Sequence, residues 1–180
     1  MKLYLVRHAE AEDGDVDAAR QLTEQGRADA QRLAEALRAM NLRVADVWHS
    51  GYPRAAQTAE PIARVAGGAT PRPHDGLAPF DRTRPIAKQV NGYGDGDLMI
   101  VGHEPFLGKL AARLVTRRAS RGIVKLDKPS IVCLDDGGHG VWRIRWMLSR
   151  ASSAPTEPRG HDAPRAETAA APQGTDGPPS

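Results

Sequence analysis

Two short apolar runs, each leading to a histidine, place the tightest constraint on what this chain can fold into. The run LYLV at residues 3–6 leads directly into Arg7 and His8, and the run LMIV at residues 98–101 ends two residues before His103. Continuous apolar runs of this length are typical of buried strands in a parallel sheet. In open α/β sheets, ligands bind beyond the carboxyl ends of the strands. A lone histidine at a strand end is most often structural, but two in equivalent positions predict a shared site.

Two amphipathic helices are predicted as scaffold for these strands. Thr23 is suited to the N-cap of the first helix, and Pro105 is suited to the start of the second, just after residues 98–101. The apolar face of the first helix consists of Ala30, Leu33, Ala34 and Leu37, and that of the second consists of Phe106, Leu107, Leu110 and Leu114. Because both faces repeat at helical spacing, we expect both helices to pack on the sheet.

A further strand and helix bring an arginine to the same edge. Residues 44–49 read as a strand, and a helix follows that Ser50 or Gly51 can cap, with Pro53 in its first turn. Arg54 lies near the start of this helix, where the positive end of the helix dipole makes a cation slightly unfavourable. That local conflict favours a functional role for Arg54, in binding an anion, over a solvated surface position.

The remaining segments complete the predicted fold. Residues 67–97 are rich in Gly, Pro, Asp and Arg, and allow only a short strand near 69–72 and a helical turn or two near 84–90. We therefore expect no cap domain. Three strands follow, at 122–126, 130–135 and 141–148, with Trp142 and Trp146 on one face of the last. The predicted fold class is α/β: a three-layer α/β/α sandwich with a mostly parallel central sheet that is antiparallel at one edge.

The chain divides into a folded domain, residues 1–150, and a tail, residues 151–180. The tail holds 6 of the 14 prolines and no large apolar residue. Since it cannot bury enough apolar surface to offset the entropy of ordering, we expect a disordered Pro/Ala/Ser/Gly-rich tail. It contains two arginines and four acidic residues and so carries a charge of −2, which leaves +5 on the domain out of the net charge of +3.

Composition argues against nucleic-acid-binding and membrane proteins. A mildly basic domain without a Lys/Arg run or interleaved aromatics argues against a nucleic-acid partner. The single cysteine, Cys133, lies in an apolar run and reads as a small buried hydrophobe. No apolar segment approaches the length of a membrane span, and the N-terminus lacks a signal-peptide core, so we expect a soluble, cytoplasmic protein with no membrane partner.

Arg7, His8, Arg54 and His103 converge at one sheet edge in this scheme. Two arginines and two histidines, without a carboxylate pair at metal spacing, describe a site for a small dianion such as phosphate. Nearby arginines lower the pKa of a histidine, so that its neutral ring presents a free nitrogen. That nitrogen can attack phosphorus and form a phosphohistidine, while the other groups hold the equatorial oxygens.

Four sequence blocks in order resemble the histidine phosphatase superfamily. LVRHAE at residues 5–10 resembles its R-H-G block, and LTEQG at 22–26 resembles its L-T-x-x-G block. SGYPRAAQTA at 50–59 is similar to its S-x-x-x-R-A-x-Q-T-A block, and VGHEP at 101–105 to its V-G-H block. The resemblance covers residues 1–150, and the short length without a cap insertion is most similar to SixA-type phosphohistidine phosphatases.

The resemblance implies roles for the matching residues. His8 would be the nucleophile, Arg7 and Arg54 would bind phosphate, and His103 would bind phosphate and stabilise the transition state. Ala9 departs from the glycine that the family often has. No metal or other cofactor is implied.

The general acid is a second open point. Glu104 takes the position at which the acid-phosphatase branch carries an aspartate donor, and is the first candidate. Asp75 and Asp81 are others, and a carboxylate without a catalytic role is the alternative.

An open, uncapped, mildly basic site favours a phosphoryl group displayed on another protein. The first hypothesis is therefore hydrolysis of phosphohistidine on a protein, with a phosphohistidine domain as partner. The alternatives are a small-molecule phosphomonoesterase and a non-catalytic phosphate-binding regulatory module. A metal hydrolase with His8, His49 and His103 as ligands is disfavoured because no carboxylate cluster accompanies them.

Overall fold

A computed structural model describes residues 1–118, 123–137 and 140–149. The described residues form six strands, four α-helices and a 3-10 turn at Asp17–Ala19. The strands are β1 (Lys2–Arg7), β2 (Asp46–His49), β3 (Arg72–Pro73), β4 (Leu98–Gly102), β5 (Ser130–Asp135) and β6 (Arg143–Ser149). The helices are α1 (Glu24–Ala39), α2 (Pro53–Val65), α3 (Thr83–Asn91) and α4 (Phe106–Thr116).

The strands form one mixed sheet in the order β3-β2-β4-β1-β5-β6. β1 lies in the middle, parallel to β4 and antiparallel to β5, so that Leu5 pairs with Ile100 on one side and with Val132 on the other. Arg7 is in register with Gly102. The two apolar runs therefore end at the same edge of the sheet, as their sequence predicts, and the antiparallel part is confined to β5 and β6.

Each face of the sheet carries its own apolar core. Leu3 and Leu5 point into a core that includes buried residues of α3 and α4, whereas Tyr4 and Val6 point into a core with α1 and α2. This alternation is the period-2 pattern of a strand that is buried on both faces. The predicted three-layer α/β/α sandwich is confirmed. Cys133 is buried in the second core, as predicted.

Two details of the predicted final third are wrong. Within the described residues, 123–126 form no strand, because the backbone of Leu126 bonds to two side chains instead of to a neighbouring strand. Trp142 and Trp146 do not share a face: Trp142 belongs to the core under α3 and α4, and Trp146 packs on the other core. β6 begins only at Arg143, after Trp142, so the strand alternation does not apply to both tryptophans.

Between α2 and β4, the described chain holds only the two-residue β3 and the nine-residue α3. α3 is longer than the predicted turn or two because Ile86, Ala87 and Val90 are buried against the sheet. No described helix is long and apolar enough to cross a membrane. Met1–Arg150 forms one compact unit, and the predicted tail, residues 151–180, lies outside the described residues.

Candidate active site

The four residues predicted to converge line a single cavity of about 230 Å³ at the carboxyl edge of β1 and β4. Arg7 and His8 come from the end of β1, Arg54 comes from the first turn of α2, and His103 follows β4. The edge is closed by a hydrogen bond from the His8 backbone N–H to the Gly102 carbonyl, 3.0 Å long. The other residues lining the cavity are Asp17, Arg20, Pro79, Phe80, Glu104 and Lys128.

The ring of His8 is held in one tautomer. Its Nδ1 lies 2.6 Å from the carbonyl oxygen of Ala9, and because a carbonyl can only accept, Nδ1 carries the hydrogen. Nε2 is left with a lone pair, towards which the Nε–H of Arg54 donates at 3.3 Å. His8 is only 5% exposed. Burial lowers its pKa to about 3; the Ala9 carbonyl opposes this, and the charges of His103 and Arg54 add to it. The ring is neutral at physiological pH.

His103 faces His8 across the cavity, with ring centroids 4.9 Å apart. Its Nε2 lies 2.6 Å from the hydroxyl oxygen of Ser50, and its Nδ1 is buried without a hydrogen-bond partner among the described residues. Burial, followed by the charge of Arg54, lowers the pKa of His103 to about 3. A second neutral imidazole therefore faces the first, and has an unused ring nitrogen.

Arg7 also has an unused donor. Its Nη1 donates to the Leu126 carbonyl at 2.6 Å, whereas its Nε is buried without a partner in the described part of the chain. Leaving a buried charged N–H unpaired costs on the order of 1–3 kcal/mol or more. An acceptor with several oxygens that enters this cavity would recover that energy.

Arg54 is positioned by the loop that follows β1. Its Nη2 donates to Asp17 Oδ2 at 2.8 Å and its Nη1 donates to the Asp17 carbonyl. Hydrogen bonding to Arg54 lowers the pKa of the Asp17 carboxyl. The guanidinium carbon also lies 4.9 Å from the ring centre of Tyr52. Arg54 is thus fully buried, at 3% exposure, but charge-compensated.

The start of α2 differs from the prediction. Pro53 occupies the first turn as expected, but the N-cap is Tyr52 rather than Ser50 or Gly51, and no side chain caps the helix. The Ser50 hydroxyl pairs instead with His103. Ser50, although suited to capping a helix, therefore bonds to a residue that lines the cavity, and its position in the sequence alone does not show this.

Two further residues of the α2 block hold the segment after His8. Thr58 Oγ1 accepts a hydrogen bond from the Ala9 N–H at 3.0 Å, and Gln57 Oε1 accepts one from the Leu22 N–H at 2.8 Å. Together with Arg54, which bonds to Asp17, they lie on one face of α2. This face contacts the loop between β1 and α1 near its start, its middle and its end. The arginine, glutamine and threonine of the block therefore act together to position His8.

Glu104, the first candidate for the acid, lines the cavity, and its Oε1 accepts a hydrogen bond from the Leu126 N–H at 3.1 Å. Leu126 is thus bonded through its N–H to Glu104 and through its carbonyl to Arg7. Asp75 and Asp81 do not line the cavity, and Asp81 accepts a hydrogen bond from the Ala78 N–H in the turn that carries Phe80.

Sequence reasoning missed two residues that contact His103, Ser50 and Tyr52. It also missed five residues that line the cavity: Asp17, Arg20, Pro79, Phe80 and Lys128. Most lie in loops, where no periodicity indicates which side chains turn inward. The third histidine of the metal alternative, His49, accepts a hydrogen bond from the Gly51 N–H and does not line the cavity. Among the described residues, no group of three or more His, Cys, Asp or Glu side chains is arranged to hold a metal ion.

Comparison with known proteins shows the family to which the chain belongs. The family model described as histidine phosphatase superfamily (branch 1) matches residues 3–84, a range that includes Arg7, His8 and Arg54. An uncharacterised protein of Picosynechococcus sp. is 31% identical over 147 residues, or 76% of this chain and 86% of the relative. The chain belongs to the histidine phosphatase superfamily.

Solved structures of two phosphatases share the fold. The protein histidine phosphatase SixA, in a complex with tungstate, superposes with a TM-score of 0.73 at 21% identity, covering 83% of this chain and 97% of SixA. A phosphoserine phosphatase from Entamoeba histolytica, in a complex with 3-phosphoglyceric acid, superposes with a TM-score of 0.64 at 17% identity, covering 83% and 98%. At these identities the likeness concerns the fold, which is shared by a protein histidine phosphatase and a phosphoserine phosphatase.

Proposed function

We propose that this chain is a metal-independent phosphatase that hydrolyses phosphohistidine on another protein through a covalent phosphohistidine intermediate on His8. One observation supports this above the others: the unprotonated Nε2 of a neutral, buried His8 belongs to a cavity that Arg7 and His103 also line. Arg7 Nε and His103 Nδ1 are buried and have no hydrogen-bond partner among the described residues. The arrangement offers a nucleophile and anion-binding groups together, without any rearrangement of the His8 tautomer.

In the first step, the Nε2 lone pair of His8 attacks phosphorus, and the bond from phosphorus to the substrate's imidazole nitrogen breaks. The departing nitrogen takes the bonding pair and is protonated by water or by Glu104. Arg7, Arg54 and His103 hold the three equatorial oxygens as charge spreads over them. In the second step, water attacks phosphorus, the bond to His8 Nε2 breaks with its electron pair returning to Nε2, and the water's protons leave on the product as dihydrogen phosphate.

A displayed phosphoryl group suits the surroundings of the cavity. Between β2 and β4 the described chain carries no insertion large enough to cover the cavity. Phe80, at the cavity wall, is 86% exposed and presents an apolar surface to solvent. An open entrance with an exposed aromatic ring favours a protein surface as substrate over a metabolite that must be enclosed.

A small-molecule phosphomonoesterase is the second candidate. It is favoured by the Entamoeba structure, whose described activity is on phosphoserine in a similar fold. For such a substrate the departing oxygen needs a proton, which would make Glu104 essential. A non-catalytic phosphate-binding module is the third candidate, since the unpaired donors would bind phosphate without turnover.

The deciding experiment compares kcat/KM on a phosphohistidine protein and on an aryl phosphate, for wild type, His8→Ala and Glu104→Gln. We expect His8→Ala to lose both activities by at least about 10³-fold, as is typical for a lost nucleophile. Glu104→Gln is expected to retain hydrolysis of the phosphohistidine protein. Efficient hydrolysis of sugar phosphates with no action on the phosphohistidine protein would instead establish the second candidate.

Labelling separates turnover from binding. Brief incubation of the wild type with a phosphoryl donor should leave acid-labile, base-stable phosphate on His8, and His8→Ala should remain unlabelled. A wild type that binds phosphate but is never labelled would establish the binding module instead.

A further inference from the structure

Lys128 is a charged residue of the cavity that the proposed reaction does not use and that no described residue pairs with. The other charged side chains lining the cavity all bond to protein atoms: Arg7 to Leu126, Arg20 and Arg54 to Asp17, and Glu104 to Leu126. Lys128 lines the same cavity, and no described residue forms a hydrogen bond or ion pair with its ammonium group. Its charge is therefore available to a ligand.

The backbone around Lys128 is held in place. Leu126 is bonded from both sides by Arg7 and Glu104, as described above. On the other side of Lys128, the Ser130 hydroxyl donates to the Asp127 carbonyl at 2.8 Å, and Ser130 pairs with Arg7 across β1 and β5. The lysine thus extends from a segment anchored next to Arg7 at both ends, rather than from a free loop.

Electrostatics show that Lys128 belongs to the same site. Partial loss of hydration at the cavity wall lowers the pKa of Lys128, although the residue as a whole is exposed, and the charges of Arg7, Arg20 and Arg54 lower it further. The charge of Lys128 in turn contributes to the lowered pKa of His8. Like charges brought this close repel one another, so an unpaired ammonium here is unfavourable in the empty cavity and becomes favourable when an anion binds.

Depth separates Lys128 from the phosphoryl site. His8, Arg54 and His103 are buried and Arg7 is half-buried, whereas Lys128 is exposed. A phosphoryl group attached to substrate would fill the buried part of the cavity. Lys128 therefore faces the part of the substrate that extends outward from the phosphoryl group.

We propose that Lys128 binds a second anionic group of the substrate, a carboxylate or phosphate carried next to the phosphoryl group. The proposal rests on the proposed phosphoryl site and adds a substrate class to it. On a protein substrate, this group is an acidic side chain beside the phosphorylated residue; on a small molecule, it is a second acid group. Lys128 is then a specificity-determining residue rather than a catalytic one.

The test measures binding without turnover, by calorimetry with methylphosphonate and phosphonoacetate, which differ by one carboxylate. The wild type should bind phosphonoacetate about tenfold more tightly, the size of one good charge-assisted hydrogen bond. Lys128→Gln should lose that preference, and Lys128→Arg should retain most of it. The matched control is Lys125→Gln, which removes an exposed cation three residues away that does not line the cavity and should keep the wild-type ratio.

Two results would overturn the proposal. If Lys128→Gln weakened the binding of both analogues equally, Lys128 would either bind the phosphoryl group itself or act on any anion through long-range electrostatic attraction. If it weakened neither, Lys128 would have no role in binding. Both readouts are independent of phosphohistidine hydrolysis, so failure of the proposed function would appear separately, as intact analogue binding without turnover of the phosphohistidine protein.

The source of the second acid group is found from kcat/KM. Lowered kcat/KM of Lys128→Gln on a phosphohistidine protein, with that on 3-phosphoglycerate unchanged, identifies an acidic side chain of a protein. The reverse pattern identifies a small phosphorylated acid. Unchanged values on both substrates would contradict the proposal even if the analogue preference were present.

Discussion

A single hydrogen bond prepares His8 for its proposed reaction. Because the Ala9 carbonyl takes the Nδ1 hydrogen, Nε2 is the nitrogen that faces Arg54. Ala9 itself is fully buried, and its N–H is bonded to Thr58. The methyl group that departs from the family's usual glycine is therefore accommodated in the core without disturbing the backbone that orients His8.

The depressed pKa values of His8 and His103 give a prediction for the unbound protein. Both are lowered to about 3 by burial, so we expect their ring C–H signals in NMR spectra to stay in the neutral form from pH 8 down to about pH 4.5. In the urea-unfolded chain, the same signals should titrate near the free value of about 6.5. A folded-state midpoint close to 6.5 for either ring would contradict the assignment of neutral imidazoles.

The same shifts make stability depend on pH with a defined sign. Between about pH 6.5 and 3, the unfolded chain binds protons at these two positions that the folded chain does not, so the free energy of unfolding falls as pH is lowered through that window. In His8→Asn, the fall between pH 7 and pH 4.5, measured by urea denaturation, should be smaller than in the wild type.

At the scale of elements, the first turn of α1 packs closely against the backbone segment that follows His8. The Thr23 side chain caps the helix by accepting the Gly26 N–H at 2.9 Å, as the sequence predicts. A Cβ on Gly26 would lie 2.0 Å from the carbonyl oxygen of Glu10. The glycine of the L-T-x-x-G block is therefore required by close packing of two backbones, not by a positive φ.

Gly26→Ala tests this contact because two effects oppose each other. Helix propensity alone would stabilise the variant by about 1 kcal/mol, whereas overpacking against a backbone atom costs on the order of 1–3 kcal/mol or more. We expect net destabilisation in urea denaturation, and a lower kcat/KM on an aryl phosphate because the segment carrying His8 is displaced. Gly14→Ala is the control, since its Cβ would make an ordinary 3.7 Å contact with Arg20. A Gly26→Ala variant as stable and active as Gly14→Ala would contradict this account.

At the scale of the whole molecule, the described sheet, both cores and the cavity all lie within Met1–Arg150. We predict that a chain ending at residue 150 keeps the full-length free energy of unfolding and, within about twofold, its kcat/KM on an aryl phosphate. Chemical denaturation and steady-state kinetics measure both. A clear loss of either would assign residues 151–180 a structural or functional role that their composition does not suggest.

The local sequence pattern was sufficient to predict the sheet. It was also sufficient to predict that Arg7, His8, Arg54 and His103 converge. Buried parallel strands need continuous apolar runs, and parallel strands end at one edge, so residues that follow them are neighbours however far apart they are in sequence. The strand predicted at 122–126 is wrong because apolar residues allow a strand but do not require one. Here the side chains of Glu104 and Arg7 bond to the backbone of Leu126 in place of a neighbouring strand.

The sequence by itself determined the α/β layering and the four residues that meet in the cavity, because both follow from hydrophobic periodicity and chain direction. Only the tertiary structure decided how those residues are held: the tautomer of His8, the pairing of Arg54 with Asp17, the use of Ser50 on His103, and the placement of Lys128 in the cavity. Each involves a loop segment next to a strand or helix end, where no periodic pattern specifies the side-chain directions. These contacts surround the proposed phosphoryl site, and for that reason we expect substrate selection to depend on tertiary structure.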